Sequence, residues 1–333
     1  MNSINNMDGA FYPFKFEPIL KPVIWGGSDI CRFKKIEPLR EGIGESWEIS
    51  GVHGNVSRVS NGRLAGTSLN DLLARNGEGL VGKKVYQKFG NIFPLLIKFI
   101  DAREDLSIQV HPDDALAKKR HSSFGKTEMW YVINAAPGAY LYSGFKESIT
   151  PEEYPETVKN NTFTDKLRRY DVRAGDVFYL PSGRVHAIGA GCFIAEIQQT
   201  SDITYRIYDY NRRDAAGNSR ELHTEQARDA IDFKVYDSYK TEYVKKPNSP
   251  VKIVASPYFT TQLLEMDIPI ERDYSALDSF VIYICMAGRC AVRDDRGNRE
   301  FIRRGESMLI PADTQSVTII PDEFSELLET CVA

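Results

Sequence analysis

One stretch of the chain repeats: Val172–Ile188 (VRAGDVFYLPSGRVHAI) lies over Ile302–Thr318 (IRRGESMLIPADTQSVT) without a gap, and this restricts the fold more than any other feature. Gly175 falls on Gly305, Asp176 on Glu306 and Pro181 on Pro311. Upstream, Trp130–Leu141 (WYVINAAPGAYL) matches Val281–Val292 (VIYICMAGRCAV), each with a glycine-containing turn between two apolar runs. A unit that recurs within one chain and is built of short apolar or alternating runs bounded by Gly, Pro, Asn and Asp predicts two copies of one β sandwich or barrel. Met129–Ile133, Asp176–Pro181, Phe193–Gln198, Phe280–Cys285 and Ser307–Pro311 are such runs. Helical patterning is confined to Ser68–Arg75, Asp113–Lys119, Pro151–Lys159 and Thr224–Ile231, which read as insertions and a connector. The polar stretch Lys234–Ser249 separates the copies, so the expected units are 1–235 and 236–333. In this overlay His186 lies opposite Ser316 and Glu128 opposite Ser279, so only the first copy is expected to hold a metal.

Composition then bounds the function. With 333 residues, 42% apolar and 26% charged, the chain can bury one large or two modest cores. The longest apolar run, Ile92–Ile100, contains Pro94 and Lys98 and falls short of the roughly 20 residues of a membrane-spanning helix, so no membrane partner is expected. Met1–Ala10 has no basic region followed by an apolar core, which makes a cytoplasmic location the expectation. Five cysteines without a CxxC pair read as reduced thiols. A net charge of −4 argues against nucleic acid as a partner, and an anionic ligand would need a few local cations.

Leu106–His111 (LSIQVH) alternates strictly, so as a strand it sets Ser107, Gln109 and His111 on one face. Glu128 opens the next β run, and His186 follows the turn Pro181-Ser182-Gly183-Arg184. Two imidazoles, a carboxylate and an amide oxygen suit a borderline divalent ion such as zinc, and the lack of cysteine argues against a closed structural site. Plainer readings stand beside this one: His111 as a helix cap before Pro112, Glu128 as a surface acid, His186 as a turn residue. Lys98 interrupts the apolar run Phe93–Ile100 and must find a partner or a ligand. Lys126 stands two residues before Glu128, Glu196 shares a face with Ile194 and Gln198, and Arg206 follows in Thr204–Tyr208. Glu196 and Arg206 suit a proton carrier and an anion clamp, whereas Lys98 with Glu196 equally suits a buried ion pair. Trp25-Gly26-Gly27 and Glu45-Ser46-Trp47-Glu48 are weak signals, and His53, His121 and His223 read as surface residues.

Taken together, LSIQVHPDD, GKTE before WYV, YLPSGRVHAIG and EIQQTSDITYRIYD, with WGG and GESWEIS upstream, resemble the type I mannose-6-phosphate isomerase family in its shorter bacterial form, over about Phe14 to Tyr210. The resemblance implies a mainly β fold of two cupin-type jelly rolls with short helical insertions and one Zn2+ per chain, on Gln109, His111, Glu128 and His186. It also implies a sugar phosphate as substrate and an aldose-ketose isomerisation of mannose 6-phosphate and fructose 6-phosphate through a cis-enediol. Arg206, Glu196 and Lys126 match the family's catalytic arginine, acid and lysine; Lys98 and Ser107 are the expected contacts to substrate. Where longer members read Asn-His-Lys-Pro-Glu, this chain reads Phe124-Gly125-Lys126-Thr127-Glu128, so a histidine beside the lysine is missing. A metal-dependent cupin dioxygenase and a non-catalytic sugar-phosphate-binding cupin are the alternatives, since fold alone does not decide function.

Overall fold

The computed structural model describes residues 11–213 and 216–332; the Met1–Ala10 segment behind the leader expectation lies outside them. Two β sandwiches carry the fold, and their sheets repeat one topology. In the first, Lys240–Thr241, Val177–Leu180, Glu128–Ala135, Cys192–Gln199, Leu95–Ala102, Ile19–Gly27 and Ile43–Ile49 form a seven-stranded sheet in that order. It faces a five-stranded sheet ordered Tyr205–Tyr208, Ile108–Val110, His186–Ile188, Tyr140–Phe145, Leu167–Asp171. In the second, Ser307–Ile310, Val281–Ala287, Ser325–Cys331 and Thr260–Met266 repeat the middle of the large sheet, and Ile270–Asp273, Ser316–Pro321, Arg289–Asp294 and Arg299–Arg303 repeat the smaller one. All the strand pairings are antiparallel. The fold is a pair of cupin jelly rolls; Phe14–Lys15 pairs with Ser307–Ile310 of the second, and Lys240–Thr241 pairs with Val177–Leu180 of the first.

Leu95–Ala102 is central and every one of its residues is buried, including Lys98 and Asp101, the two charges in an otherwise apolar run. The expected helices appear as Leu69–Val81, Asp114–His121, Tyr154–Lys159 and Thr224–Ala230. Two of them start where side chains cap them: Ser68 accepts from the Asp71 N–H and Asp113 from the Leu116 N–H. Asp29–Lys34 and Lys83–Phe89 are additional short helices, whose first N–H groups donate to the distant carboxylates of Asp101 and Asp278.

The ladders correct one detail of the repeat. Val177–Leu180 and Ser307–Ile310 keep the expected register, but Glu128 pairs with Leu180 and Val281 pairs with Ile310. Because Leu180 and Ile310 are equivalent, the counterpart of Glu128 is Val281 and not Ser279. The same ladders set Trp130 beside Glu196 and Tyr283 beside Glu329, so Glu329 is the second copy's Glu196. There the carboxylate is neutralised within the protein: the Arg272 guanidinium binds both its oxygens at 2.8 and 2.7 Å, and the Tyr274 hydroxyl donates to it at 2.8 Å. Removing one partner of such a buried pair strands the other charge. Arg272→Met is therefore expected to cost about 3 kcal/mol in urea unfolding, and the double variant Arg272→Met, Glu329→Gln to recover most of that loss.

Candidate metal centre and active site

Register brings the site together. Across the large sheet, Trp47 pairs with Lys98, Lys98 with Glu196, and Glu196 with Trp130, giving one row that faces the interior. Across the smaller sheet, Arg206 pairs with Gln109, Gln109 with His186, and His186 with Ser143. Alternation then places Glu128 on the same face as Trp130, two residues earlier, and His111 on the same face as Gln109. The two rows meet between the sheets.

At their meeting point Glu128, fully buried, holds Oε1 3.3 Å from His186 Nε2 and Oε2 3.5 Å from His111 Nε2. Ligand atoms of these three residues lie within 4.8 Å of one another. His111 Nδ1 lies 3.0 Å from the Ile203 carbonyl and His186 Nδ1 2.8 Å from the Arg184 carbonyl. A carbonyl only accepts, so each Nδ1 carries the hydrogen and each Nε2 presents a lone pair to Glu128. Burial, followed by the nearby Lys126 ammonium, pushes His111 down to about 3; burial also lowers His186. Burial works to raise the Glu128 carboxyl, but Lys126 and the imidazoles outweigh it and hold the group well below the ordinary carboxylate range. Neither Glu128 oxygen accepts a hydrogen bond. The Gln109 amide reaches the same centre, 3.4 Å from His186 Nε2, and its oxygen and nitrogen exchange by a simple flip. Lys126 Nζ covers one side, 3.3 Å from Glu128 Oε2 and 3.2 Å from His111 Nε2. Acceptors turned on one another in a closed interior are costly unless a cation lies among them, so this donor set fits a divalent metal.

Beside the centre opens a cavity of about 180 Å³. Gln109, Lys126, Lys98, Glu196, Arg206 and Ser107 all line it. His111, Glu128 and His186 stand behind Gln109 and Lys126. Lys98 is buried between two acids, 3.3 Å from Glu196 and 4.0 Å from Glu45, and under the Trp47 ring at 5.0 Å. Burial lowers the Lys98 ammonium, but Glu45, Glu196 and Glu128 together raise it. Glu196 is also raised, first by burial and then by the charge of Glu128. The two shifts differ in meaning: Lys98 is shared by several carboxylates and stays charged, while Glu196 has part of one ammonium and the Trp130 N–H at 2.8 Å. Of the pair, Glu196 is held closer to its neutral form.

Some residues at the cavity carried only weak signals or none. Glu45 and Trp47 line it, whereas Glu48, on the opposite face of the same strand, turns to Lys34. Arg220 lines it from a polar loop and donates from Nε to Asp209 at 2.8 Å. His223 is half-buried rather than superficial: its Nδ1 accepts from the Arg206 N–H at 3.2 Å, and its own N–H donates to the Arg206 carbonyl at 2.7 Å. His53 and His121 are exposed.

Comparison with known proteins identifies the family. Residues 14–136 match the family model described as phosphomannose isomerase type I, catalytic domain. A mannose-6-phosphate isomerase of Streptococcus mutans is 35% identical over 295 residues, covering 88% of this chain and 90% of that protein. A mannose-6-phosphate isomerase of Bacillus subtilis is 40% identical over 221 residues, 66% of this chain and 68% of its own. The crystal structure of a Bacillus subtilis mannose 6-phosphate isomerase superposes with a TM-score of 0.85 at 30% identity, over 96% of this chain and 99% of that one. Variants of the Salmonella typhimurium phosphomannose isomerase, at 16% identity and a TM-score of 0.78, share the fold.

Glu128→Ala removes the central acceptor while leaving both imidazoles in place. Purified without chelator, it is expected to carry less than about a tenth of the divalent metal found in the unaltered protein, measured by elemental analysis.

Proposed function

Since the chain belongs to the type I phosphomannose isomerase family, we propose that it interconverts mannose 6-phosphate and fructose 6-phosphate, with one zinc ion held by Gln109, His111, Glu128 and His186. The observation that carries the reading is the Glu128 carboxylate, buried with the Lys126 ammonium on one side only and faced by two imidazole lone pairs. Zinc suits two nitrogens and two oxygens, and as a Lewis acid it would stabilise negative charge on the sugar oxygens near C1 and C2.

The difficulty of the reaction is a weakly acidic carbon, and the remaining residues address it. Glu196 takes the proton from C2 of the open-chain aldose and returns it to C1 through a cis-enediol, as a proton passes from O2 to O1. Its position supports this: Trp130 fixes Oε2, and Oε1 has only the Lys98 ammonium beside it, at 3.3 Å. Arg206 supplies a fixed cation for the enediolate charge; its NH1 donates to the Glu221 carbonyl at 2.9 Å, and its Nε is unbonded. Lys126, between the acceptor cluster and the cavity, orients the reacting oxygens. Lys98 and Ser107 contact the sugar phosphate from the cavity wall. The cavity's cations, Lys98, Lys126, Arg206 and Arg220, exceed its acids, Glu45, Glu196 and Asp202, which suits an anionic sugar in a chain of net charge −4.

A coupled assay over a panel of sugar phosphates tests the assignment: turnover of mannose 6-phosphate should vanish on chelation and return with zinc, and full activity in a metal-free sample overturns it. Arg206→Ala is expected to lower kcat by about a hundredfold or more with a smaller change in KM. An unchanged kcat would remove Arg206 from the transition state. Glu196→Gln should stop exchange of the C2 hydrogen with solvent while the protein still binds fructose 6-phosphate.

A further inference from the structure

A second and larger cleft, about 670 Å³, lies where the two jelly rolls meet. Nothing in the isomerisation uses it. Its wall joins Lys15, the Lys34-Lys35 end of helix Asp29–Lys34, and the hairpin made by Arg289–Asp294 and Arg299–Arg303. The turn after that hairpin seats directly on the helix: a Cβ at Gly305, where φ is +83°, would stand 3.0 Å from Lys34 Cγ and 3.1 Å from the Phe33 ring. The buried Lys34 ammonium donates to the Gly305 carbonyl and pairs with Glu48 at 2.7 Å, which fixes the floor.

The lining carries six cationic side chains against two carboxylates, Glu306 and Glu323, in a chain whose net charge is −4. Internal pairing leaves part of that charge uncompensated. Glu306 is shared by Lys15 at 2.6 Å and Arg303 at 3.2 Å, and Arg289 pairs with Asp322 at 3.3 Å. Among the described residues Lys35 and Arg304 have no carboxylate partner, and Arg304 lies over the Phe33 ring at 5.5 Å. Lys35 occupies a left-handed helix cap, φ +55°, a position that glycine fills at lower cost. Along the same wall stands the Phe301 ring, 37% exposed, with Arg289 at 4.2 Å and Arg299 at 5.1 Å from its centroid.

Like-charged side chains gathered without enough counter-charge repel one another, and an anion relieves that repulsion. The Arg289 guanidinium lies over the Phe301 ring at 4.2 Å, and a planar guanidinium held on an aromatic ring is itself a stacking face for a base. We propose that the cleft binds a nucleoside diphosphate, with its phosphates on Lys35, Arg304 and Lys15 and its base on the Arg289 guanidinium that Phe301 supports. The volume suits a ligand of that size. Recognition here is independent of the isomerase site, from which the cleft shares no lining residue.

Equilibrium dialysis of the metal-loaded protein against labelled ADP, AMP and adenosine, with fructose 6-phosphate saturating the isomerase site, tests the proposal. One ADP per chain is expected, with AMP weaker by about tenfold or more and adenosine unbound at about 1 mM. Lys35→Gly with Arg304→Gln should weaken ADP by about tenfold or more, with isomerase turnover and melting temperature retained, since glycine relieves the left-handed cap. Phe301→Ala should weaken ADP and AMP by a similar factor, since both carry the base. No ADP binding at about 1 mM, AMP bound as tightly as ADP, or either variant binding ADP like the unaltered protein would each overturn it.

Discussion

Three sets of electron pairs crowded into a closed β sandwich are what the rest of the first jelly roll has to accommodate. Glu128 is ionised, and both imidazoles aim unprotonated Nε2 atoms at it because the Ile203 and Arg184 carbonyls occupy the other nitrogens. The cluster is buried, so bulk solvent screens its charge little, and Lys126 reaches one side of it. The long-range electrostatics follow: Lys98 stays charged among several acids, and Glu196, in the field of Glu128, is pushed toward its protonated form.

The second jelly roll is a natural comparison within the same molecule. It retains a glutamate, Glu329, at the place of Glu196 and a tyrosine, Tyr283, at the place of Trp130. Its answer to a buried carboxylate is internal, an arginine on both oxygens and a tyrosine hydroxyl. Val281 stands where Glu128 does, so no second set of facing acceptors arises. One framework thus balances its buried charge in one copy and leaves acceptors facing one another in the other. That contrast marks the first copy as a ligand site rather than an ordinary buried polar network.

Much of this was legible because strands advertise their faces. Alternation in Leu106–His111 put Ser107, Gln109 and His111 together, and Ser107 and Gln109 do line the cavity while His111 joins Glu128, although the paired strand is only Ile108–Val110. The helices with capping side chains at Ser68 and Asp113 were readable for the same local reason. The Ser279 assignment failed in an instructive way: a slip of two residues preserves the inward and outward alternation, so pattern alone cannot exclude it, and only the ladder to Ile310 identifies Val281. Arg220 and His223 gave no signal because loops carry no periodicity, and their place at Arg206 is set by the closing of the chain around the cavity. Glu45 was visible as one of two alternating acids, but which of them faced inward depended on its pairing with Ile100.

Anomalous diffraction from crystals grown with equimolar zinc, collected on both sides of the zinc absorption edge, tests the central claim most directly. One zinc peak per chain is expected, bonded at about 2.0–2.2 Å to His111 Nε2, His186 Nε2, a Glu128 oxygen and the Gln109 oxygen. Ordered side chains at those four positions with no anomalous peak among them, and the Lys126 ammonium alone neutralising Glu128, would contradict it.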